Sequence, residues 1–234
     1  MVNLGNLDIE QLKVPLGFIK LVQIPLCLIA YTALHGWRFD FRVYCVGNNG
    51  TMHAQHMYET SSFSLGGIEY KNCSNTSTTL FPESYGGSSG LVGFVCIVSI
   101  IYCLAMLFIY LYRWDAYAND NRLPRLDTGV TIILAFLWFF SFWVWWRYSS
   151  AMKDMTTKEN VQKLSDEHGF CTSPGCKLDS YAMYAPVTVS VLAAFGNVIL
   201  FSYNIWIVYK ETVWFHHRQM NQQPHMAEPS ITLA

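Results

Sequence analysis

The chain has 234 residues, of which 52% are hydrophobic, 16% aromatic and only 13% charged. A soluble domain usually carries about 25% charged residues, so this composition argues against a soluble fold and favours a membrane protein. The formal net charge of −1 gives no indication of nucleic-acid binding.

Four long apolar runs predict four membrane-spanning helices. The last run has 24 residues and no charge, and a helix of that length crosses a hydrocarbon core about 30 Å thick. The first run contains Lys20 near its start, and we expect this side chain to extend along its flexible stem to the interface. Both termini then lie on one side. The predicted spans are residues 14–36, 91–112, 129–146 and 186–209.

The segments outside the spans are short, which predicts a single all-α four-transmembrane-helix bundle over residues 14–212. The first loop alternates aromatic and polar residues before it becomes rich in Gly, Asn, Ser and Thr, so we expect short strands there. The second loop is polar, with one amphipathic helix expected over residues 155–164. No cleavable signal peptide is expected, because the first dozen residues lack a basic region. The segments are an N-terminus (1–13), a first loop (37–89), a linker (113–128), a second loop (147–185) and a disordered tail (213–234).

The first loop carries three N-x-S/T sequons, at Asn49, Asn72 and Asn75, and the rest of the chain has none. Such triplets mark N-glycosylation acceptors of lumenal or extracellular loops. Asn49 is the preferred acceptor because its sequon ends in threonine and stands apart from the other two. The alternative is an Asn/Ser/Thr-rich loop without glycans.

Cysteines occur in pairs in the same two loops. Cys45 and Cys73 share the first loop, and Cys171 and Cys176 share the second. Paired cysteines beside sequons indicate an oxidising lumen, so we predict one disulfide in each loop. The alternative is a zinc site, but these cysteines lack CxxC spacing and have no histidine at ligand spacing. The remaining three cysteines lie within the spans and are interpreted as small apolar residues.

The fourth span contains two polar residues, Asn197 and Asn204, which are seven positions apart and therefore lie on one helical face. An amide in hydrocarbon is unfavourable unless it is hydrogen-bonded, so this face should pack against protein. Gly196 is also predicted to be a helix-packing or oligomer contact. Three roles remain open: bonds within the bundle, contacts between protomers or with a partner, and the lining of a pore together with Ser141 and Ser202.

No catalytic motif is present, and the spans contain no charged residue apart from Lys20 near one edge. Intramembrane proton relays and many ion sites need such groups, so we predict a non-enzymatic protein without cofactor or metal. His53 and His56 lie three positions apart in the first loop, and we interpret them as solvated. His216 and His217 are expected among lipid headgroups and could favour acidic lipid.

Three motifs resemble the synaptophysin family. Residues 13–20 (KVPLGFIK) are similar to its K-x-PLGF-x-K sequence at the start of the first span. Residues 121–127 (NRLPRLD) are similar to its N-x-x-P-x-LD linker, and residues 196–214 to its fourth span and exit. The resemblance extends from about Leu12 to Trp214. The signatures of two other four-span classes, claudins and tetraspanins, are absent.

The resemblance implies a MARVEL-domain protein with two disulfide-closed luminal loops and cytosolic termini. Synaptophysins reside on synaptic and other small secretory vesicles, form homo-oligomers, bind synaptobrevin, associate with cholesterol and influence vesicle biogenesis and retrieval. Residues 216–234 do not match the long repetitive tail of that family, so functions of the tail are not carried over. An ion channel or transporter formed by oligomers is the alternative function.

Overall fold

The structure, a computed structural model, describes residues 12–46, 50–119, 122–171 and 175–211. The helices in these ranges are α1 (Pro15–His35), α2 (Gly86–Tyr112), α3 (Trp114–Asn119), α4 (Arg122–Met155), α5 (Lys158–Glu167) and α6 (Ala185–Glu211). The strands are β1 (Phe39–Val46), β2 (Met52–Thr60), β3 (Glu69–Lys71), β4 (Ser77–Thr79) and β5 (Lys177–Ala182). The 3-10 turn Leu65–Gly67 separates β2 from β3.

Helices α1, α2, α4 and α6 form the bundle, and each is long and apolar enough to cross a membrane. They pack in the cyclic order α1, α2, α4, α6, so every helix contacts two neighbours. Proline occupies the first position of α1 and the second position of α6, where a helix needs no amide donor. This architecture confirms the predicted four-helix membrane bundle.

The outer surface of the bundle is strongly apolar. Phe136, Leu192 and Ile101 expose 74%, 63% and 62% of their surface. A belt of such side chains would be unfavourable in water, but it matches a hydrocarbon solvent. The bundle therefore presents to the lipid the residues that a soluble protein would bury.

Helix α4 is longer than the predicted third span, because it begins at Arg122 and ends at Met155. The predicted linker 113–128 accordingly contains α3 and the first two turns of α4. Pro124 is the third residue of α4, a position in the first turn that tolerates proline. The third span was predicted from a run without charged residues. The charged residues between positions 122 and 127 therefore excluded the first turns of α4 from the predicted span.

The two loops combine into one extramembrane unit, which the sequence did not predict. Strand β1 from the first loop pairs with β2 on one side and with β5 from the second loop on the other. Both predicted cysteine pairs are bonded, Cys45 to Cys73 and Cys171 to Cys176, with Cα–Cα distances of 5.8 and 5.5 Å. We call this side of the bundle the loop end and the opposite side, which carries α3, the linker end.

Aromatic side chains form the core of the extramembrane unit. Phe41 in β1 is fully buried and packs against Tyr58, Tyr70 and Phe170. Phe63 contacts Trp145 of α4 at a ring distance of 5.1 Å, so the core continues into the bundle. The alternation predicted for the first loop is present in β1, whose odd-numbered residues from 39 to 45 are buried.

Candidate functional site

A buried ion pair lies at the linker end of the bundle. The Lys20 Nζ of α1 is 3.2 Å from the Asp127 Oδ1 of α4, and both side chains have no exposed surface. Each residue is five positions from the first residue of its helix, which corresponds to about 7.5 Å along the axis. Helices α1 and α4 lie diagonally opposite each other in the bundle, and the same depth in both allows the opposite charges to meet across its interior.

Tyrosines complete the hydrogen bonding of this pair. Lys20 donates to the Tyr102 hydroxyl at 2.6 Å, and Tyr102 in turn donates to the Asp127 carboxylate. The hydroxyls of Tyr110 and Tyr117 donate to the other carboxylate oxygen, Oδ2, at 2.5 and 3.0 Å. The lysine ammonium also lies 4.1 Å from the centre of the Tyr102 ring. We call these five residues the Lys20–Asp127 cluster.

The cluster joins four helices through one carboxylate. Tyr102 and Tyr110 come from α2, eight positions apart on one face, and Tyr117 comes from α3. In a low-dielectric interior an unpaired charge is very unfavourable, and here both charges are compensated. Because both carboxylate oxygens already accept from donors, the cluster holds the helices in position and leaves no open ligand position at Asp127.

The two amides predicted for a packing face both lie inside the bundle with no exposed surface. The Asn197 amide donates to the Ala193 carbonyl at 3.1 Å, and its Oδ1 lies 3.4 Å from the Cys27 Sγ of α1. The side-chain amide of Asn204 makes no hydrogen bond to any residue that the structure describes. A Cβ on Gly196 would lie 2.9 Å from a methyl of Leu26, so this glycine permits α6 to approach α1 closely.

The four residues predicted to line a pore do not all lie inside the bundle. Ser141 of α4 is fully buried, whereas Ser202 of α6 points to the outside of the bundle. A role of Asn197, Asn204 or Gly196 in contacts between protomers stays a prediction.

The family model of the MARVEL domain, a membrane-associating domain, matches residues 11–207. The chain belongs to the MARVEL family. The match includes all of α1, α2 and α4, most of α6, and the whole Lys20–Asp127 cluster. A membrane-associating function agrees with the apolar outer surface of the bundle.

The structure of the MARVEL bundle corrects two predictions, one about Lys20 and one about Asp127. Lys20 does not extend to the interface, since its side chain is fully buried against Asp127. Asp127 was assigned to the linker, although it lies within α4. Both residues belong to the motifs that carry the synaptophysin resemblance, at residues 13–20 and 121–127. The sequence did contain a signal for this pair. The first and third membrane helices each carry one residue of opposite charge at about the same distance from the linker end.

The sequons that the structure describes differ in accessibility. The Asn72 Oδ1 accepts from the backbone amides of Ser74 and Thr76 at 2.9 and 3.0 Å, which fixes a turn beside the Cys45–Cys73 disulfide. Asn75 is exposed, with a φ of 60°. Asn49 lies outside the described residues.

The two histidines of the first loop both lie in β2. The His53 Nε2 is 2.6 Å from the Thr51 Oγ1, and His56 packs near Tyr58.

Proposed function

We propose that this MARVEL protein is a synaptophysin-like, non-enzymatic protein of synaptic or other small secretory vesicles. In this proposal it organises the vesicle membrane by forming homo-oligomers, by binding synaptobrevin and by associating with lipids, including cholesterol. These contacts affect vesicle biogenesis, exocytosis and retrieval.

One observation carries the proposal: two separate motifs of the synaptophysin pattern supply the two partners of one buried ion pair. Lys20 ends the first motif and Asp127 ends the second, and they are 107 positions apart in the chain. Sequence motifs that meet at one compensated charge pair are coupled, because either residue without the other would be strongly unfavourable. Two of the motifs on which the resemblance rests are therefore joined in the fold of this chain, which supports their use as one combined signature.

The proposed orientation places the loop end in the vesicle lumen and the linker end in the cytosol. Disulfides persist in oxidising compartments, and both disulfides of the described residues lie at the loop end. All three sequons belong to the first loop, on the same side. Peptide-glycosidase treatment of the membrane-made protein should increase its electrophoretic mobility, and an unchanged mobility would remove the support that the sequons give.

Co-purification tests the partner. An epitope-tagged chain expressed in secretory cells and extracted in a mild detergent should co-purify with synaptobrevin and migrate as an oligomer. A tagged claudin, which has four spans without the synaptophysin motifs, serves as the control and should isolate no synaptobrevin. A monomeric protein that lies away from vesicles and isolates no synaptobrevin would contradict the proposal.

The unbonded Asn204 amide favours one second candidate, an oligomeric channel. A buried polar group without a described partner is unfavourable in a structural role but would suit a hydrated path. Purified protein in a planar bilayer would then conduct ions, and Asn204→Leu or Asn197→Leu would abolish the current. Conductance with this sensitivity would favour the channel over the organiser.

A further inference from the structure

A groove of about 350 Å³ lies on the lipid-facing side of the bundle between α1 and α6. Its walls are apolar and include Phe18 and Val22 from α1 and Leu200, Tyr203 and Ile207 from α6. Phe18 and Tyr203 are 57% and 54% exposed, so the groove is open to the surrounding hydrocarbon. Val22 lies seven residues after the start of α1, which extends the groove about 10 Å into the bundle.

The mouth of the groove is cationic. Lys13, which lines the groove, is exposed and precedes the first residue of α1 by two positions. Lys210 lies in the last turn of α6, at the same linker end, with its Nζ 5.2 Å from the centre of the Trp206 ring. Trp206 stacks on Tyr203, a wall residue, at a ring distance of 5.7 Å. Lys13 lines the groove itself, and Lys210 follows the wall residue Ile207 by three positions, about one helical turn further towards the linker end.

The two lysines have no carboxylate partner within the part of the chain that the structure describes. Among the residues whose side chains the structure describes, neither Lys13 nor Lys210 forms an ion pair, whereas Lys20, Lys158 and Lys163 each have a carboxylate partner. The N-terminus of α1 lies at the same mouth, and its helix dipole also favours negative charge. An apolar groove with a positive mouth is complementary to an amphiphile with a hydrocarbon chain and an anionic head.

We propose that this groove binds an anionic glycerophospholipid, with one acyl chain between α1 and α6 and the phosphate between Lys13 and Lys210. The cytosolic orientation proposed above assigns the site to the leaflet that is rich in phosphatidylserine and phosphoinositides. The proposal uses the orientation only to name the leaflet, because the binding itself depends on the groove and its lysines.

Lipid retention in nanodiscs tests the site. The full-length protein is reconstituted in phosphatidylcholine with a minor fraction of phosphatidylserine, and lipids that remain bound after release into detergent are identified by native mass spectrometry. We expect the wild type to retain phosphatidylserine in preference to phosphatidylcholine. A basic residue near an anionic surface contributes about a fivefold factor in affinity, so Lys13→Gln/Lys210→Gln should weaken retention about 25-fold.

Two further variants separate the groove from general charge attraction. Lys71→Gln/Lys177→Gln removes two exposed lysines from the extramembrane unit and should leave retention unchanged. Val22→Trp fills the groove while both lysines remain, and it should also lose the lipid. Thermal unfolding of each variant establishes that the bundle is intact.

Two results would overturn the proposal. The first is equal phosphatidylserine retention by the wild type and Lys13→Gln/Lys210→Gln. The second is an equal loss in Lys71→Gln/Lys177→Gln, which would show charge attraction without a site. Neither result depends on orientation or on synaptobrevin, so a failure here is distinguishable from a failure of the vesicle function.

Discussion

At the residue scale, the Lys20–Asp127 cluster is the feature that most strongly constrains the bundle. Three tyrosine hydroxyls and one ammonium converge on a single carboxylate with no exposed surface. Removing one partner of a buried pair leaves an uncompensated charge, which typically costs about 3–5 kcal/mol. The cluster therefore makes the arrangement of α1, α2, α3 and α4 depend on both charges being present.

A double-mutant cycle measures this dependence. Lys20→Met and Asp127→Leu should each lower the free energy of unfolding by about 3–5 kcal/mol. The double variant should lose less than the sum of the two, by about 1–3 kcal/mol, because no unpaired charge remains. The measurement is equilibrium unfolding in mixed detergent micelles. Lys153→Met, which removes a half-buried lysine bonded to Thr188, is the control, and additive losses at Lys20 and Asp127 would contradict the coupling.

Asn204 gives a second residue-scale prediction. Its amide is buried without a described partner, so an apolar residue of similar volume should be tolerated within a single bundle. We expect Asn204→Leu to leave the free energy of unfolding of the monomer unchanged or to raise it by about 1–3 kcal/mol. Asn197→Leu, which removes two described contacts, is the matched comparison and should lower it. A large loss of monomer stability in Asn204→Leu would show that the amide has a partner in the bundle.

The sequence predicted residue contacts correctly where both partners belong to the same short segment. The cysteine pairs follow from their positions in the same loops. Lys20 and Asp127 could not be paired in this way, because their contact depends on how distant helices pack. The spans were also predicted from runs without charged residues, so any charged residue at the edge of a run fell outside the span. Asp127 was assigned to the linker for this reason.

At the element scale, strand β5 explains how the two loops become one unit. It pairs with β1 over residues 177–182, so the second loop extends the sheet of the first. Helix α5 packs beside β5, where Lys158 of the helix donates to Asp179 at 2.8 Å. This hydrogen bond holds the pKa of Asp179 below its usual value. The sequence indicated strands in the first loop and a helix in the second, but neither strand β5 nor its pairing with β1.

The disulfides should contribute unequally to the stability of this unit. Cys45–Cys73 closes a loop with a separation of 28 positions, whereas Cys171–Cys176 closes one of only 5. In the chain-entropy description the longer loop gives about 3.6 kcal/mol and the shorter about 2.2 kcal/mol. Thermal unfolding of Cys45→Ser/Cys73→Ser should therefore show a larger decrease in stability than that of Cys171→Ser/Cys176→Ser. The reverse order would contradict this account.

At the scale of the whole molecule, the four-span frame was predictable because hydrocarbon thickness fixes the length of each apolar run. The cyclic order of the helices was not, since every span has apolar residues on all sides. Contacts that set the order are polar and sparse, such as the Trp138 indole donating to Ser99 and the Trp145 indole donating to Ser190. The apolar outer surface of the bundle accounts for membrane association. The groove and the two lysines that are proposed to bind an anionic lipid both lie at the linker end.

In the function proposed here, this MARVEL protein organises vesicles and contacts synaptobrevin. Cross-linking of intact native vesicles, followed by mass-spectrometric identification of neighbours, tests this claim most directly. We expect cross-links to synaptobrevin and to further copies of the chain, with extramembrane-unit residues protected until the vesicles are opened. Vesicles that contain the protein but give neither kind of cross-link, or a loop end that reacts from the cytosolic side, would contradict the account.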